Sequence, residues 1–412
     1  MSDVKIKVCF LHPWIKSIED VLKLLCIQDM PIAERFELDY ENPDYVIATD
    51  YVTSSYRYMK QFKRLVGYQD DSGKNPIRIF WTEECVSPDF NIFDYSITWN
   101  WKLSYRDRAA RIPPHIFIGS NMTERQNTLS YEDAVSLLRQ GNLRFCNFFY
   151  SNPGHFKMKR DELFYALQGY KHVDSLGKYL NNVGGVVGDD NKITEPKQGL
   201  SRGGRYSWQE VSVRLKSNYK FTIAAENAQS DGYTSEKLLT SFLAHSVPIY
   251  WGNPYVAEEY NPEAFINCND YDNFDNVVKR VKEIDEDDEL WARMVSQPWQ
   301  TEQQARKSEA EYESYKKFIM NIFTSPIEQA YRRTMGEWVY LYGLWYFEQR
   351  FIRNKKRSLI GEFIKSFLDT DTIDSIGKLL SMPRAIFNPH WRQAKQLKRY
   401  TLEDFLKEKN FS

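Results

Sequence analysis

Short apolar runs alternate with segments of helical periodicity along most of the chain, and this alternation restricts the fold more than any other feature. Val4, Ile6, Val8 and Phe10 lie on one side of a period-two stretch, which predicts a first strand. Apolar residues at helical spacing in the next segment, 15–27, predict a helix. Strands that alternate with helices are typical of parallel sheets covered on both faces, so the sequence predicts an α/β protein.

The alternation occurs in two series, which predicts two lobes. The predicted strands are 45–48, 77–82 and 95–99 in the first series, and 144–149, 220–225, 247–251 and 264–268 in the second. The predicted helices of the second series are 157–168, 235–245 and 274–284. In such a bilobal enzyme we expect the ligand between the lobes, at the carboxyl ends of strands. We therefore predict a first lobe over 1–143, a second lobe with closing helices over 144–349 and a helical tail over 350–412.

Charge and cysteine content exclude several classes of protein. The chain has 412 residues with 55 Lys and Arg against 56 Asp and Glu, and this near neutrality argues against a nucleic-acid partner. Its five cysteines are scattered without a CxxC pair, which predicts reduced thiols rather than a disulfide framework or a zinc site. The sequence has neither a secretory signal nor an apolar run of the roughly 18 residues that span a bilayer. We therefore predict a cytoplasmic location.

The positive charge is concentrated in the tail. Residues 350–412 hold 14 basic and 7 acidic residues, whereas the first 349 residues hold 41 and 49. The basic cluster 355–357 precedes apolar residues at helical spacing over 359–368. Such a segment can lie peripherally on the anionic inner face of a membrane. It can also be a helix packed on the body with a solvated basic face, and we favour the membrane contact.

The segment 219–252 carries the clearest chemistry. It is a predicted strand that ends in two polar residues, Glu226 and Asn227, and a glycine-containing loop follows. Thr234 or Ser235 is then a natural N-cap for the next helix. The free amides of that helix would face the carboxyl edge of the strand, an arrangement that binds anions.

Lys237 stands in the first turn of this predicted helix. A cation there is unfavourable against the helix dipole, and its position is better explained if it meets a phosphate. The alternative is an ordinary capped helix with Glu and Lys on the protein surface, and spacing alone does not separate the two interpretations.

The same segment resembles the α-1,3-fucosyltransferase signature of glycosyltransferase family 10. The matching residues are Tyr219-Lys220-Phe221, Glu226-Asn227, Tyr233, Glu236-Lys237 and Val247-Pro248-Ile249-Tyr250-Trp251-Gly252. Upstream, residues 80–95 resemble the acceptor-lobe motif of the bacterial members, and Ser151-Asn152 with Arg160 resemble the opening of the donor lobe. The resemblance covers about residues 77–300.

The resemblance implies a GT-B fold, with two Rossmann-like lobes and a helical C-terminal extension. The first lobe would bind the acceptor and the second would bind GDP-fucose. The implied reaction is inverting transfer of L-fucose to the O3 or O4 hydroxyl of GlcNAc or Glc, in a lactose or N-acetyllactosamine type acceptor or a lipid-linked glycan. We expect no required cofactor and no metal ligand, although a divalent cation could stimulate turnover through the released GDP.

The resemblance also implies roles for individual residues of the second lobe. These are Ser151 and Arg160 at its opening, Glu226 and Asn227 in the fucose pocket, Tyr233 on the donor phosphate, Glu236 on the ribose, and Lys237, with Arg160, on the diphosphate.

The implied catalytic base is a carboxylate in the segment 82–87. Glu84 matches a glutamate of the bacterial pattern and is our predicted base, with Glu83 as the second choice. Because adjacent strand residues point to opposite faces, only one of the two should reach the cleft. A single displacement needs such a base to take the proton of the attacking hydroxyl.

Two departures from the family pattern keep alternatives open. Ala225 stands where the family usually has Phe, which would fit a GT-B enzyme with a different nucleotide sugar. Val86 stands where many members have a carboxylate, which would fit a catalytically silent glycan-binding or assembly protein.

Overall fold

Two parallel sheets with flanking helices form the body of the protein. The computed structural model describes residues 4–12, 15, 17–50, 76–101, 103, 107–113, 116, 129–153, 157–184, 186–187, 193–194 and 208–329. The predicted tail lies outside the described residues.

The first lobe contains a six-stranded sheet in the order β2-β1-β3-β4-β5-β6, and every pairing in it is parallel. Its strands are β1 Ile6–Leu11, β2 Phe36–Leu38, β3 Tyr45–Thr49, β4 Ile77–Trp81, β5 Tyr95–Thr98 and β6 Ala109–Arg111. The central strands β3, β4 and β5 are buried along their whole length, which confirms the expectation of a sheet covered on both faces.

The second lobe contains a five-stranded parallel sheet in the order β13-β12-β11-β7-β8. Its strands are β7 Arg144–Phe148, β8 Val173–Ser175, β11 Tyr219–Ala225, β12 Val247–Trp251 and β13 Ile266–Asn267, and a separate antiparallel pair is formed by β9 Val186–Val187 and β10 Ile193–Thr194. The strand predicted over 264–268 is reduced to β13, because short 3-10 turns over 262–264 and 268–270 flank it.

Helices cover both sheets. Among the described residues they are α1 Ile18–Leu24, α2 Tyr131–Arg139, α3 Lys157–Tyr170, α4 Trp208–Lys216, α5 Glu236–Leu243, α6 Phe274–Glu286, α7 Asp288–Val295 and α8 Glu302–Thr324. The helix predicted over 15–27 is shorter, since Cys26 has a left-handed φ of 52° just after α1. No helix in the described ranges is long and apolar enough to cross a membrane.

The core of the second lobe includes α2, which precedes its first strand. Ala134 of this helix is fully buried in the same cluster as Phe148, Phe221 and Trp291. The lobe boundary predicted at 143/144 coincides with the start of β7. The hydrophobic core of the second lobe already includes α2, which lies before that boundary. The boundaries of the lobes remain a prediction.

Helix α8 returns from the second lobe and packs on the first sheet. Tyr315, Ile319 and Phe323 of this helix are buried in the first lobe's core. The Tyr315 hydroxyl donates a hydrogen bond of 2.6 Å to the carbonyl of Leu25, at the end of α1. The sequence pattern indicates a helix in this region but not the lobe on which it packs.

The buried Tyr315 hydrogen bond can be tested by a minimal substitution. Tyr315→Phe leaves the buried Leu25 carbonyl without this donor, and we expect it to lower the free energy of unfolding by about 1 to 2 kcal/mol. Urea unfolding followed by circular dichroism measures the change. Tyr131→Phe, at an exposed position of α2, is the control and should change the stability by less than about 0.5 kcal/mol.

Four of the five cysteines fit the prediction of reduced core thiols. Cys9, Cys26, Cys146 and Cys268 are buried and form no disulfide, and Cys85 is half-buried and forms none either. Burial raises the pKa of the Cys26 thiol to about 12.

Candidate active site

The two lobes meet at the carboxyl ends of β4 and β11. Asn227 lies two residues after β11, and Glu84 lies three residues after β4. The side-chain nitrogen Nδ2 of Asn227 is 3.5 Å from Oε2 of Glu84. A second contact joins the Trp101 amide to the carbonyl of Asp231 over 3.4 Å. The cleft predicted between the lobes is therefore bordered by the predicted base on one side and by the polar end of β11 on the other.

Glu226 is the buried centre of the cluster on the second lobe. Its Oε1 accepts a hydrogen bond of 2.7 Å from the Ser235 amide, and its Oε2 accepts one of 2.6 Å from the Ser235 hydroxyl. Burial raises the pKa of Glu226, although Lys237 and Ser235 oppose this shift. The carboxylate ties the end of β11 to the start of α5.

Gly252 is the last residue of the signature segment, and close packing explains why a glycine stands there. A Cβ built on this glycine would lie 2.4 Å from Cγ of Glu226 and 2.6 Å from the Tyr250 hydroxyl. Any larger residue would displace the buried Glu226 side chain or the tyrosine, so the glycine is required by close packing.

Lys237 carries the positive charge of this cluster. Its Nζ lies 2.8 Å from the Ser235 hydroxyl and 3.3 Å from each of the carboxylates of Glu226 and Glu236. Burial favours the neutral amine, but Glu236 and Glu226 outweigh burial and raise the pKa of Lys237. The lysine is therefore an ammonium ion at neutral pH.

Ser235 is the N-cap of α5, as predicted, with extended backbone and a side chain that accepts from the Lys237 amide. Glu236 occupies the first turn, where its charge is favourable against the helix dipole. Burial opposes its ionisation, but Lys237 outweighs burial and the pKa of Glu236 is lowered. The Lys237 ammonium ion at the start of α5 is thus paired with Glu236 of the same turn and with Glu226 at the end of β11.

Arg160 of α3 is almost completely buried under the end of β11. Its Nη atoms donate to the carbonyls of Asn152 and Ala225 and to Oδ1 of Asn227, at 2.9, 3.0 and 2.8 Å. The guanidinium also lies 4.0 Å from the ring centre of Tyr150. Because the Asn227 amide in turn faces Glu84, a chain of contacts runs from Arg160 to the first lobe.

The remaining predicted donor residues lie at the same edge. Tyr233 is buried, with its ring 6.4 Å from that of Trp99 in an edge-on contact between the lobes. Ser151 is exposed on the loop after β7, next to Asn152, whose carbonyl accepts from Arg160. The structure thus brings all the predicted donor residues to one edge of the second sheet. Their individual roles remain predictions.

The predicted base lies in a bend rather than in a strand. Strand β4 ends at Trp81, one residue earlier than predicted; Glu83 is exposed and Glu84 is half-buried. The Glu84 amide donates to the Thr82 hydroxyl over 3.0 Å. Glu84 is therefore the one of the pair whose carboxylate reaches Asn227 across the cleft.

Asp50 is a neighbour of this bend that the sequence analysis did not identify. It follows β3 directly, and its Oδ1 accepts a hydrogen bond of 2.9 Å from the Thr82 hydroxyl. Burial and the charge of Glu84 raise the pKa of Asp50. Asp50 could have been predicted as a site residue, because it lies at the carboxyl end of a predicted strand.

Comparison with known proteins identifies proteins that are similar to this chain. Residues 143–329 match the family model described as glycosyltransferase family 10 (fucosyltransferase), C-terminal part. Residues 143–329 are thus similar to the C-terminal part of a glycosyltransferase family 10 fucosyltransferase. The match contains the whole polar cluster of the second lobe, and it ends beyond α8.

Two curated relatives of this chain are named as fucosyltransferases. An α-(1,3)-fucosyltransferase of Helicobacter pylori is 28% identical over 250 residues, covering 53% of this chain and 45% of the relative. An α-(1,4)-fucosyltransferase of Arabidopsis thaliana is 30% identical over 128 residues, covering 31% of each chain. The chain spans less than half the length of these two relatives.

The fold is similar to a crystal structure of an α1,3-fucosyltransferase with GDP-fucose. The TM-score is 0.52 at 21% identity, and the match covers 76% of this chain and 91% of that one. The likeness extends beyond residues 143–329 into the first lobe, and it confirms the predicted α/β fold of GT-B type with two parallel sheets.

The second lobe also buries a lysine beneath α5 that the sequence analysis did not single out. Lys216, the last residue of α4, donates from Nζ to the Thr240 hydroxyl at 2.6 Å and to the Lys237 carbonyl at 3.2 Å. Burial lowers the pKa of Lys216 to about 7; Lys237 lowers it further, while Glu236 and Glu226 oppose the shift.

This buried lysine predicts a pH-dependent stability. The unfolded chain has the ordinary lysine pKa of 10.5, so between about pH 7 and 10.5 the unfolded state binds a proton that the folded state lacks. The cost of burying the ammonium ion is therefore complete below pH 7 and decreases as the pH rises. We expect the stability of Lys216→Met relative to wild type to fall by about 2 kcal/mol between pH 7 and 9.

Urea unfolding of both proteins at the two pH values measures this change. Lys279→Met, at an exposed position of α6, should show the same difference from wild type at both. A pH-independent difference for Lys216→Met would contradict the lowered pKa.

Proposed function

We propose that this chain transfers L-fucose from GDP-fucose, with inversion, to the O3 or O4 hydroxyl of GlcNAc or Glc in a lactosamine-type or surface glycan. The observation that supports it most is the contact between Glu84 and Asn227, which brings a carboxylate of one lobe to the edge of the second sheet where Arg160 and Lys237 lie. An inverting displacement requires this pairing of a base and a stabilised leaving group on opposite sides of the sugar carbon.

The donor would bind with its diphosphate at the start of α5. The amides at a helix N-terminus favour an anion, and the Lys237 ammonium ion adds a full charge. As the glycosidic bond breaks, negative charge develops on the departing phosphate, and these groups stabilise it. The Nη atoms of Arg160 are bonded to protein acceptors. Arg160 would therefore add its positive charge from a position behind Asn227.

The acceptor hydroxyl would lie between Glu84 and the fucose. Glu84 takes the proton as the oxygen attacks the sugar carbon, while the carbon–oxygen bond to GDP breaks on the opposite face. The bond from the Thr82 hydroxyl to Asp50 fixes the bend that carries Glu84, so the base is held by two strand ends. No step in this account needs a metal ion.

The departure at Ala225 bears on the alternative of another nucleotide sugar. Its side chain lies in the hydrophobic core of the second lobe, and its amide donates to the Tyr150 hydroxyl over 2.7 Å. A change of side-chain volume there would act on the sugar pocket through core packing. The competing donors are therefore worth testing directly.

Titration calorimetry with GDP-fucose, GDP-mannose and UDP-glucose discriminates between these donors. We expect GDP-fucose to bind most tightly and GDP to bind with similar affinity, and tighter binding of UDP-glucose would overturn the proposed donor. Turnover in EDTA should persist. Loss of all activity in EDTA, with recovery on adding Mg²⁺, would reverse the proposal of a metal-independent reaction.

A catalytically silent glycan-binding protein is the second candidate, favoured by Val86 at the family's carboxylate position. Val86 is exposed, and Glu84 supplies a carboxylate two residues before it. Release of GDP from GDP-fucose that depends on added lactose or N-acetyllactosamine would exclude the silent protein.

We also infer that the tail brings the enzyme to the inner face of a membrane, where lipid-linked glycans would be acceptors. This rests on the sequence of residues 350–412 alone. Co-sedimentation with vesicles containing anionic lipid should be lost in a chain that ends at residue 349. Equal sedimentation of the two chains would contradict the membrane contact.

A further inference from the structure

Arg111, the last residue of β6 in the first lobe, reaches into the second lobe. Its Nε donates to the Trp99 carbonyl of its own lobe over 2.9 Å. Its Nη2 donates to the Gly232 carbonyl at 3.1 Å and to Oε1 of Glu259 at 2.6 Å, both in the second lobe. One guanidinium therefore holds groups of both lobes.

The contacts of Arg111 are shielded from solvent. The side chain of Arg111 is 8% exposed and that of Glu259 is 4% exposed. Glu311 of α8 accepts a further bond of 3.0 Å, and the indole of Trp101 lies 4.7 Å from the guanidinium carbon. A planar guanidinium satisfies four acceptors in different directions here, which the single nitrogen of a lysine cannot do.

Gly232 is closely packed against the first lobe. Its φ is +84°, and a Cβ on it would lie 2.5 Å from the Trp99 carbonyl oxygen and 3.2 Å from Nε of Arg111. Its amide donates to the Asn253 side chain over 2.9 Å, so the residue is held from both lobes. Gly232 needs both the left-handed backbone and the absence of a side chain.

The loop 229–235 that contains Gly232 also carries donor-site residues of the proposed function. Tyr233 follows the glycine directly, and Ser235 caps α5 and binds Glu226. A shift of Gly232 would move Tyr233 and the start of α5. The first lobe thus contacts the donor site at the loop that precedes its phosphate-binding helix.

We propose that Arg111 is a positioning residue, which anchors the donor-binding loop 229–235 from the opposite lobe and so makes donor affinity depend on the contact between the lobes. The inference rests on the proposed function for the identity of the ligand. The anchoring itself concerns the protein alone and can be measured without a ligand.

The test uses the double variant Arg111→Gln/Glu259→Gln, which removes both buried charges together and leaves neither unpaired. Hydrogen exchange of the amides in 229–235 is measured without ligand, and GDP affinity is measured by calorimetry. We expect exchange about tenfold faster and a GDP Kd about tenfold higher, while the KM for the acceptor stays within about twofold. The single variant Arg111→Lys should show exchange and a GDP Kd between those of the wild type and those of the double variant.

Arg144→Gln is the matched control. Arg144 pairs with Asp174 at the opposite end of the second sheet, and its side chain is 60% exposed. It should leave both the exchange of 229–235 and the GDP Kd unchanged. Gly232→Ala should reproduce the effect of the double variant, because it removes the close approach and leaves Arg111 in place.

Wild-type exchange of 229–235 in the folded double variant would overturn the anchoring. Wild-type GDP affinity despite faster exchange would overturn the dependence of donor affinity on that anchoring. If the double variant does not fold, Arg111→Lys decides by the same two measurements. Failure of the wild-type protein to bind GDP would overturn the proposed function and the donor part of this inference, whereas the exchange result would still decide the anchoring.

Discussion

Replacing Glu84 by glutamine is expected to lower the rate of fucosyl transfer about 10³-fold while the affinity for GDP-fucose stays within about twofold of wild type. Glutamine has nearly the shape of glutamate and can still contact the Asn227 side chain, but it cannot accept the proton of the attacking hydroxyl. The transfer rate is measured by product formation at saturating donor, and the affinity by calorimetry.

Glu83 offers a control at the next residue. It is exposed in the same bend, and Glu83→Gln should keep the transfer rate within about threefold of wild type. Near-normal transfer by Glu84→Gln would remove it as the base. If Glu83→Gln were the inactive variant, the roles of the two glutamates would have to be exchanged.

Replacing Lys237 by methionine should act on the donor side. We expect kcat/KM for GDP-fucose to fall about 10³-fold and the GDP Kd to rise by a factor of roughly 10². The variant loses the charge that faces the proposed diphosphate, and it leaves Glu226 and Glu236 without their shared cation. Both effects disfavour an anion at the start of α5.

The pattern across the two variants separates binding from chemistry. Glu84→Gln should bind GDP and fail to transfer, whereas Lys237→Met should fail at both. Lys279→Met, at an exposed position of α6, is the control for loss of a lysine. Full activity of Lys237→Met at wild-type GDP affinity would contradict the proposed phosphate contact. If Lys237→Met does not fold, Lys237→Gln tests the loss of charge by the same measurements.

Much of the donor side was predictable because it lies within one short segment. Glu226, Ser235 and Lys237 occur within twelve residues at a strand–loop–helix junction, and the capping rule and the parallel-sheet rule together predict where they meet. Local periodicity also predicted most strands of the two sheets, among them β3, β4 and β11, which are buried along their whole length. It did not predict the three-residue strands β2, β6 and β8.

The contacts between distant segments were not predictable in this way. Arg111 and Glu259 are 148 residues apart, and no local pattern relates them. Helix α8 follows the second lobe in the chain and yet buries Tyr315 in the first. Lys216 ends a helix like any surface lysine, and only the packing of α4 against α5 buries it. Each depends on tertiary geometry that a single sequence does not encode by spacing.

Arg160 illustrates a difference between predicted position and observed surroundings. Its location beside the end of β11 agrees with the prediction, because α3 follows the strand next to β11 in the sheet. Its Nη atoms are bonded to protein acceptors, which the motif does not indicate. The motif therefore predicted where Arg160 lies, but it did not predict which groups the guanidinium contacts.

The most direct test of the central claim is incubation of the purified chain with GDP-fucose and N-acetyllactosamine, with the product identified by NMR. The account predicts release of GDP and one α-linked fucose on the GlcNAc residue, formed by wild type and absent with Glu84→Gln. A folded chain that transfers fucose to no lactose or lactosamine acceptor, or a Glu84→Gln variant that forms the product at the wild-type rate, would contradict it.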